Sequence, residues 1–150
     1  MTFEKILDKY RRLCSRREYC STDLRSRILR DAEGDGQLAG EVLAKLEDDR
    51  YFDDLRYCSA FARDKAFIAG WGKKKIAYML AVKGIDKQTI AFALEEIEDD
   101  KADVRLEKLL AVKFMSLKDD PQWKMKLIRF AMGRGYDYEQ LKRIVEKMDK

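Results

Sequence analysis

The 150-residue sequence contains no histidine. That zero excludes Ser-His-Asp and Cys-His catalysis, histidine metal sites and imidazole pH switching. Proline occurs once and glycine eight times, too few for collagen, a low-complexity linker or a turn-rich β-sandwich. The three cysteines, Cys14, Cys20 and Cys58, show no Cys-x-x-Cys spacing and lack a fourth ligand. Neither a structural zinc nor a thioredoxin-like motif is encoded, and reduced thiols acting as small hydrophobes are expected. No window approaches the roughly 18 apolar residues of a membrane span. Met1 to Tyr10 alternates charged and apolar residues rather than forming a signal peptide. A cytoplasmic location, no cofactor and no metal are the expectation.

What is present is a real core and abundant charge. Hydrophobic residues make up 46% and charged residues 40%, with 32 Lys and Arg against 28 Asp and Glu, a net charge of +4. The most informative feature is an internal repeat of about 51 residues. Leu141, Ile144, Val145 and Met148 form one helical stripe at i, i+3, i+4 and i+7. One period earlier stand Ile90, Ala93, Leu94 and Ile97, and a further period earlier Ala39, Val42, Leu43 and Leu46. Leu55, Cys58 and Phe61 map onto Leu106, Leu109 and Val112, with Leu7 and Tyr10 in the first copy. Ile76, Met79 and Leu80 map onto Leu127, Phe130 and Ala131, with Leu24 and Ile28 one residue out of step.

Punctuation agrees with these stripes. Lys83-Gly84 and Arg134-Gly135 read as helix ends, and Asp86 and Asp137 as the caps of the helices that follow. Asp120-Pro121 reads as a cap with proline in the first turn. Strand signals are nearly absent. The pattern predicts an all-α fold of three tandem three-helix repeats, spanning 1–49, 50–100 and 101–150, stacked into an elongated, curved array. A monomer is the default.

Charge follows the same period. Successive blocks of thirty residues carry +5, −6, +5, −4 and +4. Stacked copies would align a basic and an acidic side, fit to hold an anionic polymer or a protein. Solvation of helix faces accounts for such bands equally well.

Four local features bear on chemistry. Gly70-Trp71-Gly72-Lys73-Lys74-Lys75 offers ammonium groups and free helix-start N–H groups to phosphate. It is no Walker A loop, because Phe67 replaces the first glycine and Lys74 the hydroxyl residue. Asp48, Asp49, Asp53 and Asp54 suit Mg²⁺ or acid–base work as chemistry, but Asp53 or Asp54 as a helix cap is the reading taken. Arg11, Arg12, Arg16 and Arg17 read equally as a contact strip for phosphates or carboxylates and as the solvated faces of a helix whose buried edge is Leu13 and Cys14. Among the aromatics, Tyr10, Tyr57 and Phe61 are assigned to the core, while Tyr19 and Trp71 stay open between core and base stacking.

The run Tyr51-Phe52-Asp53-Asp54-Leu55-Arg56-Tyr57, then Phe61, Arg63, Gly72, Lys75-Ile76, Leu80 and Lys83-Gly84-Ile85, resembles the RecX regulatory proteins, modulators of the RecA recombinase. Leu13, Arg16-Arg17 and Asp23-Leu24-Arg25 fit the same pattern. Cys20 departs from it where a capping serine is common, with Ser21 available for that role, and Cys58 replaces a small residue. The third copy lacks the acidic hallmark.

The resemblance implies a non-enzymatic regulator that binds the RecA–ssDNA filament and inhibits its extension, ATP hydrolysis and strand exchange. It implies a docking surface built from Arg16, Arg17, Arg25, Arg56, Arg63, Lys75 and Lys83. Lys73 and Lys74 join them on the electrostatic argument. The alternative is an autonomous nucleic-acid-binding helical repeat protein, contacting single- or double-stranded DNA through its basic bands. A small Mg²⁺-dependent enzyme built on the acidic cluster is disfavoured, since no nucleophile–base pair or phosphate loop accompanies it.

Overall fold

In the computed structural model, which describes residues 1–97 and 99–149 and the side chains of all of these except 99–102, the chain is all-α. Among the described residues nine helices run in order: α1 Phe3–Arg16, α2 Ser21–Asp31, α3 Gly36–Asp48, α4 Asp54–Phe67, α5 Lys73–Val82, α6 Lys87–Glu95, α7 Asp99–Leu117, α8 Trp123–Gly133 and α9 Tyr138–Met148. No strand occurs among the described residues. The third helices α3, α6 and α9 start at Gly36, Lys87 and Tyr138, so the 51-residue period holds for both steps. The chain forms two compact units. One comprises Met1–Ala60 with Leu80–Ile90, the other Phe61–Met79 with Ala91–Lys150.

The first unit is organised by Ile6, Leu7 and Tyr10 of α1, Leu24 and Ile28 of α2, and Ala39, Val42, Leu43 and Leu46 of α3, with Tyr19 and Phe52 closing the cluster. Each set recurs at three or four residues, which is what turns one face of a helix toward its neighbours. Burying a Leu or Ile side chain contributes about 1.5–3 kcal/mol, so this cluster dominates the unit's stability. In the second unit Leu106, Leu110, Leu127, Ala131, Tyr136, Leu141 and Val145 play the same part.

Two stripe assignments change. Leu55 and Val112 are 42% and 75% exposed, and the buried pairs are Cys58 with Ala62 and Leu106 with Leu110. These pairs lie 48 residues apart, so the 51-residue register does not extend to the first helices of the second and third copies. Val112 follows Leu110 by two positions, which turns it about 200° away from the core.

The predicted stops are present. Gly84 and Gly135 adopt φ +83° and +94°, and the next N–H reaches back to the helix, Ile85 to the Leu80 carbonyl and Tyr136 to that of Ala131. That is a left-handed glycine stop. At the end of α3, Arg50 occupies this position with φ +59° although it is not glycine.

The caps divide. Asp86 accepts from the Thr89 N–H at 2.8 Å and caps α6. Asp137 makes no cap bond, because its carboxylate is drawn to the Lys74 ammonium at 3.0 Å. Asp120 binds the Gln122 N–H within a turn, and α8 begins at Trp123, two residues beyond Pro121.

The tightest backbone approach lies in the second unit. The Gly72 N–H donates to the Arg134 carbonyl at 2.6 Å, and the Lys74 N–H to that of Gly135 at 3.2 Å. A Cβ on Gly72 would stand 2.3 Å from the Gly135 oxygen, and one on Gly135 2.5 Å from the Lys75 nitrogen. Gly135→Ala should therefore destabilise by about 2–4 kcal/mol, combining steric conflict with a positive φ. Gly40→Ala, in open space on α3, should stabilise by about 0.5–1 kcal/mol. Urea unfolding of the two variants reads both signs.

In the first unit Asp31 accepts from the Lys9 ammonium at 2.8 Å and the Tyr10 hydroxyl at 2.7 Å. The Lys9 hydrogen bond is the main cause holding its carboxyl below the usual range, with Tyr10 adding and burial opposing. A depressed carboxylate contributes stability above its unfolded pKa near 3.9, and that contribution is lost as pH falls through the folded value. Asp31→Asn should cost about 1 kcal/mol at neutral pH, given the partly exposed lysine, and the deficit should shrink as both proteins are taken below about pH 4 in a denaturant series.

Candidate functional site

The basic residues selected from the sequence fall in both units, and most are already engaged. In the first unit the Arg56 Nε donates to Glu18 at 2.7 Å. Lys83 donates to Asp23 at 3.2 Å. Burial pulls the Lys83 ammonium down, yet its bonds to Asp23 and Tyr57 outweigh this and leave its pKa above the ordinary lysine value. Arg17 lies over the Tyr19 ring, 4.2 Å from its centroid. Arg16 and Arg25 are exposed and make no hydrogen bond or ion pair among the described residues. In the second unit Arg63 pairs with Glu96 at 3.3 Å and Lys74 with Asp137. Lys75 stands over Trp71 at 4.3 Å, and Lys73 is half-buried at the start of α5.

The α5 N-terminus differs from the open anion site expected of it. The N–H groups of Gly72 and Lys74 are taken by the carbonyls of Arg134 and Gly135, which withdraws those two donors from phosphate. The same contact explains three lysines where a helix dipole disfavours cations. Carbonyls from the end of α8 accept from N–H groups at the helix start, and the Asp137 carboxylate pairs with Lys74, which together offset the dipole. Trp71 is held between Lys65 and Lys75, 4.8 and 4.3 Å from its centroid, with Phe61 edge-on at 6.3 Å. A ring so enclosed serves packing better than base stacking.

The acidic cluster resolves into structural partners. The Asp53 carboxylate accepts from the Arg56 N–H at 3.0 Å and caps α4. Asp54 reaches the start of α2, accepting from the Ser21 N–H at 2.8 Å and its hydroxyl at 2.7 Å. Cys20 at the cap position makes no side-chain cap bond, so a carboxylate from another helix does that work and Ser21 is its donor. Asp49 pairs with Arg11 and Lys45. Among the described residues no group of three or more potential metal ligands converges.

One contact escaped the sequence reading. Tyr19 is buried in the first core, and Arg27 joins Arg17 on its ring at 5.3 Å. Burial, with the nearby Asp54 charge adding, pushes the Cys58 thiol up to about 12, and burial likewise raises Cys20, so both are inert apolar fillers.

Residues 53–94, spanning most of α4–α6, match the model of the second three-helix domain of RecX, and residues 102–145, across α7–α9, match that of the third. The regulatory protein RecX of Chromohalobacter salexigens is 31% identical over 131 residues, covering 87% of this chain and 84% of its own. The chain belongs to the RecX family. The Pseudomonas entomophila RecX is 30% identical over 138 residues, 91% of this chain and 87% of that one. Against the Oceanobacillus iheyensis RecX the identity is 26% over 126 residues, 83% of this chain but only 46% of that longer protein. The crystal structure of RecX from Lactobacillus salivarius shares the fold, with a TM-score of 0.87 at 19% identity over 98% of this chain and 96% of that one. No helix among the described residues is long and apolar enough to cross a membrane.

Asp54 carries two bonds to Ser21, so Asp54→Ala should destabilise the first unit by about 1–2 kcal/mol. Combined with Ser21→Ala, the loss should fall short of the sum of the single variants, a coupling that a double-mutant cycle in thermal unfolding measures.

Proposed function

We propose that this protein is a non-enzymatic regulator of the RecA recombinase. It binds the RecA–ssDNA filament in the cytoplasm and inhibits filament extension, ATP hydrolysis and strand exchange. The observation that carries this reading is the RecX family match, which falls on the second and third three-helix domains and is accompanied by relatives named regulatory proteins. Asp49, Asp53 and Asp54 serve ion pairing and helix ends, which supports a reading of the acidic cluster as structural. In this proposal the repeats 1–49, 50–100 and 101–150 act as one binding body, a monomer. Arg16, Arg17, Arg25, Arg56, Arg63, Lys73, Lys74, Lys75 and Lys83 supply the docking charge. Pairing of Arg56, Arg63, Lys74 and Lys83 with carboxylates lowers what each adds, because an engaged cation must give up one partner to gain another.

A second reading, an autonomous nucleic-acid-binding helical repeat protein, is favoured by the uncompensated arginines of α1 and α2. Titration of this protein into RecA hydrolysing ATP on single-stranded DNA separates the two. Inhibition at concentrations well below that of the filament subunits is expected. Undiminished hydrolysis with excess folded protein present would overturn the regulator and leave the nucleic-acid binder.

A further inference from the structure

A groove runs along α2 and α3 in the first unit. Two hollows, of about 470 and 850 Å³, share Arg25, Leu43 and Glu47 in their lining and so join end to end. One begins at Gly36 and Gly40, and the other reaches Phe52 and the start of α4. From Gly36 to Glu47 the helix rises about 17 Å, the length of three helical turns. Ala39, Leu43 and Phe52 are its buried apolar lining, while Leu29 and Leu55 stay 38% and 42% exposed. A Cβ on Gly40 would meet nothing within 4 Å, so the groove is open there.

Arg50 lines this groove at a cost in backbone strain. It ends α3 with φ +59°, whereas Gly84 and Gly135 fill the left-handed position after α5 and α8. For a residue with a Cβ that conformation is unfavourable, and glycine relieves it. The Arg50 side chain is exposed and makes no ion pair or hydrogen bond among the described residues, so the fold gains no contact of its guanidinium in return. Strain kept without such a return points to a use outside the fold. Of the carboxylates along the groove, Asp53 is held at the start of α4 and Asp54 at that of α2, where the helix dipoles offset them. Arg25 and Arg50 are left against Glu47 alone, an excess of positive charge beside apolar surface.

We propose that the α2–α3 groove docks an amphipathic segment of the recombinase subunit, with apolar side chains seated on Leu43 and Phe52 and a carboxylate bound by the Arg50 guanidinium. The proposal rests on the regulator reading and gives it a protein contact distinct from the docking cations of the other helices. A protein segment is favoured over nucleic acid because the lining is apolar and the free Glu47 carboxylate repels phosphate.

The test is fluorescence anisotropy of the full chain, labelled at its amino terminus, against RecA assembled on single-stranded DNA and against the bare strand. Arg50→Gly should raise the thermal midpoint by about 2–4 °C and yet weaken filament binding roughly tenfold. Gly40→Gln places a neutral, helix-favouring side chain in the groove, and should likewise raise the midpoint and weaken binding. Glu33→Gly relieves the other non-glycine residue of positive φ, which does not line the groove. It should raise the midpoint and leave filament affinity within about twofold. Bare-strand affinity should stay within about twofold in all three variants. A loss of binding in a more stable protein cannot come from misfolding.

Wild-type filament affinity in Arg50→Gly or Gly40→Gln would overturn the groove and leave the regulator standing, as would an equal loss in Glu33→Gly. An equal loss on the bare strand would make the occupant nucleic acid, and the protein assignment falls. A wild-type chain that does not bind the filament would overturn the regulator and this docking together.

Discussion

Two backbones meet at Gly72 and Gly135 with no side chain between them, and much of the second unit is arranged around that contact. A 2.6 Å hydrogen bond joins Gly72 to the turn that ends α8. The approach is possible only without a Cβ on either residue. From it follow the bond of the Arg134 guanidinium to the Ala69 carbonyl and that of the Tyr136 hydroxyl to the Gly70 carbonyl. Lys74 comes within reach of Asp137, and Trp71 settles between two lysines. A turn with the look of a phosphate cradle thereby becomes a packing joint, since the Trp71, Gly72 and Lys74 amides are spent on protein carbonyls.

In the first unit the allocation of carboxylates has a comparable effect. Glu18, Asp23, Asp31 and Asp54 each take a specific donor outside the arginine strip. Half-buried pairs such as Lys83 with Asp23 hold both charges in fixed geometry and withdraw them from long-range binding. The arginines left over are what give one region of a nearly neutral protein a strong local field. Net charge alone says little about this, because it counts cations without asking which are already satisfied.

The helical periodicity was readable for the third helices because their stripes are clean. Ala39, Val42, Leu43 and Leu46 recur as apolar residues at both later copies, and all four of the first set are buried. In α7, by contrast, Val104, Leu106, Leu109, Leu110 and Val112 supply apolar residues on more than one face, so pattern alone offers several registers. Packing selects Leu106 and Leu110 and exposes Val112. The Asp137 cap failed for a related reason. Asp86 and Asp137 occupy equivalent places before their helices, yet a lysine distant in sequence captures only the second. Arg27 went unselected because nothing in a linear reading sets it beside Tyr19.

By itself the amino-acid sequence determined the helical class, the number of helices, the glycine stops and the kinship with RecX. Each depends on residues close together in the chain, where hydrophobic spacing, φ preference and motif order act directly. Tertiary structure alone decided which charges remain available, which aromatic rings are enclosed and which carboxylate caps which helix. Those outcomes depend on competition among groups many residues apart, and competition is settled by distance in space.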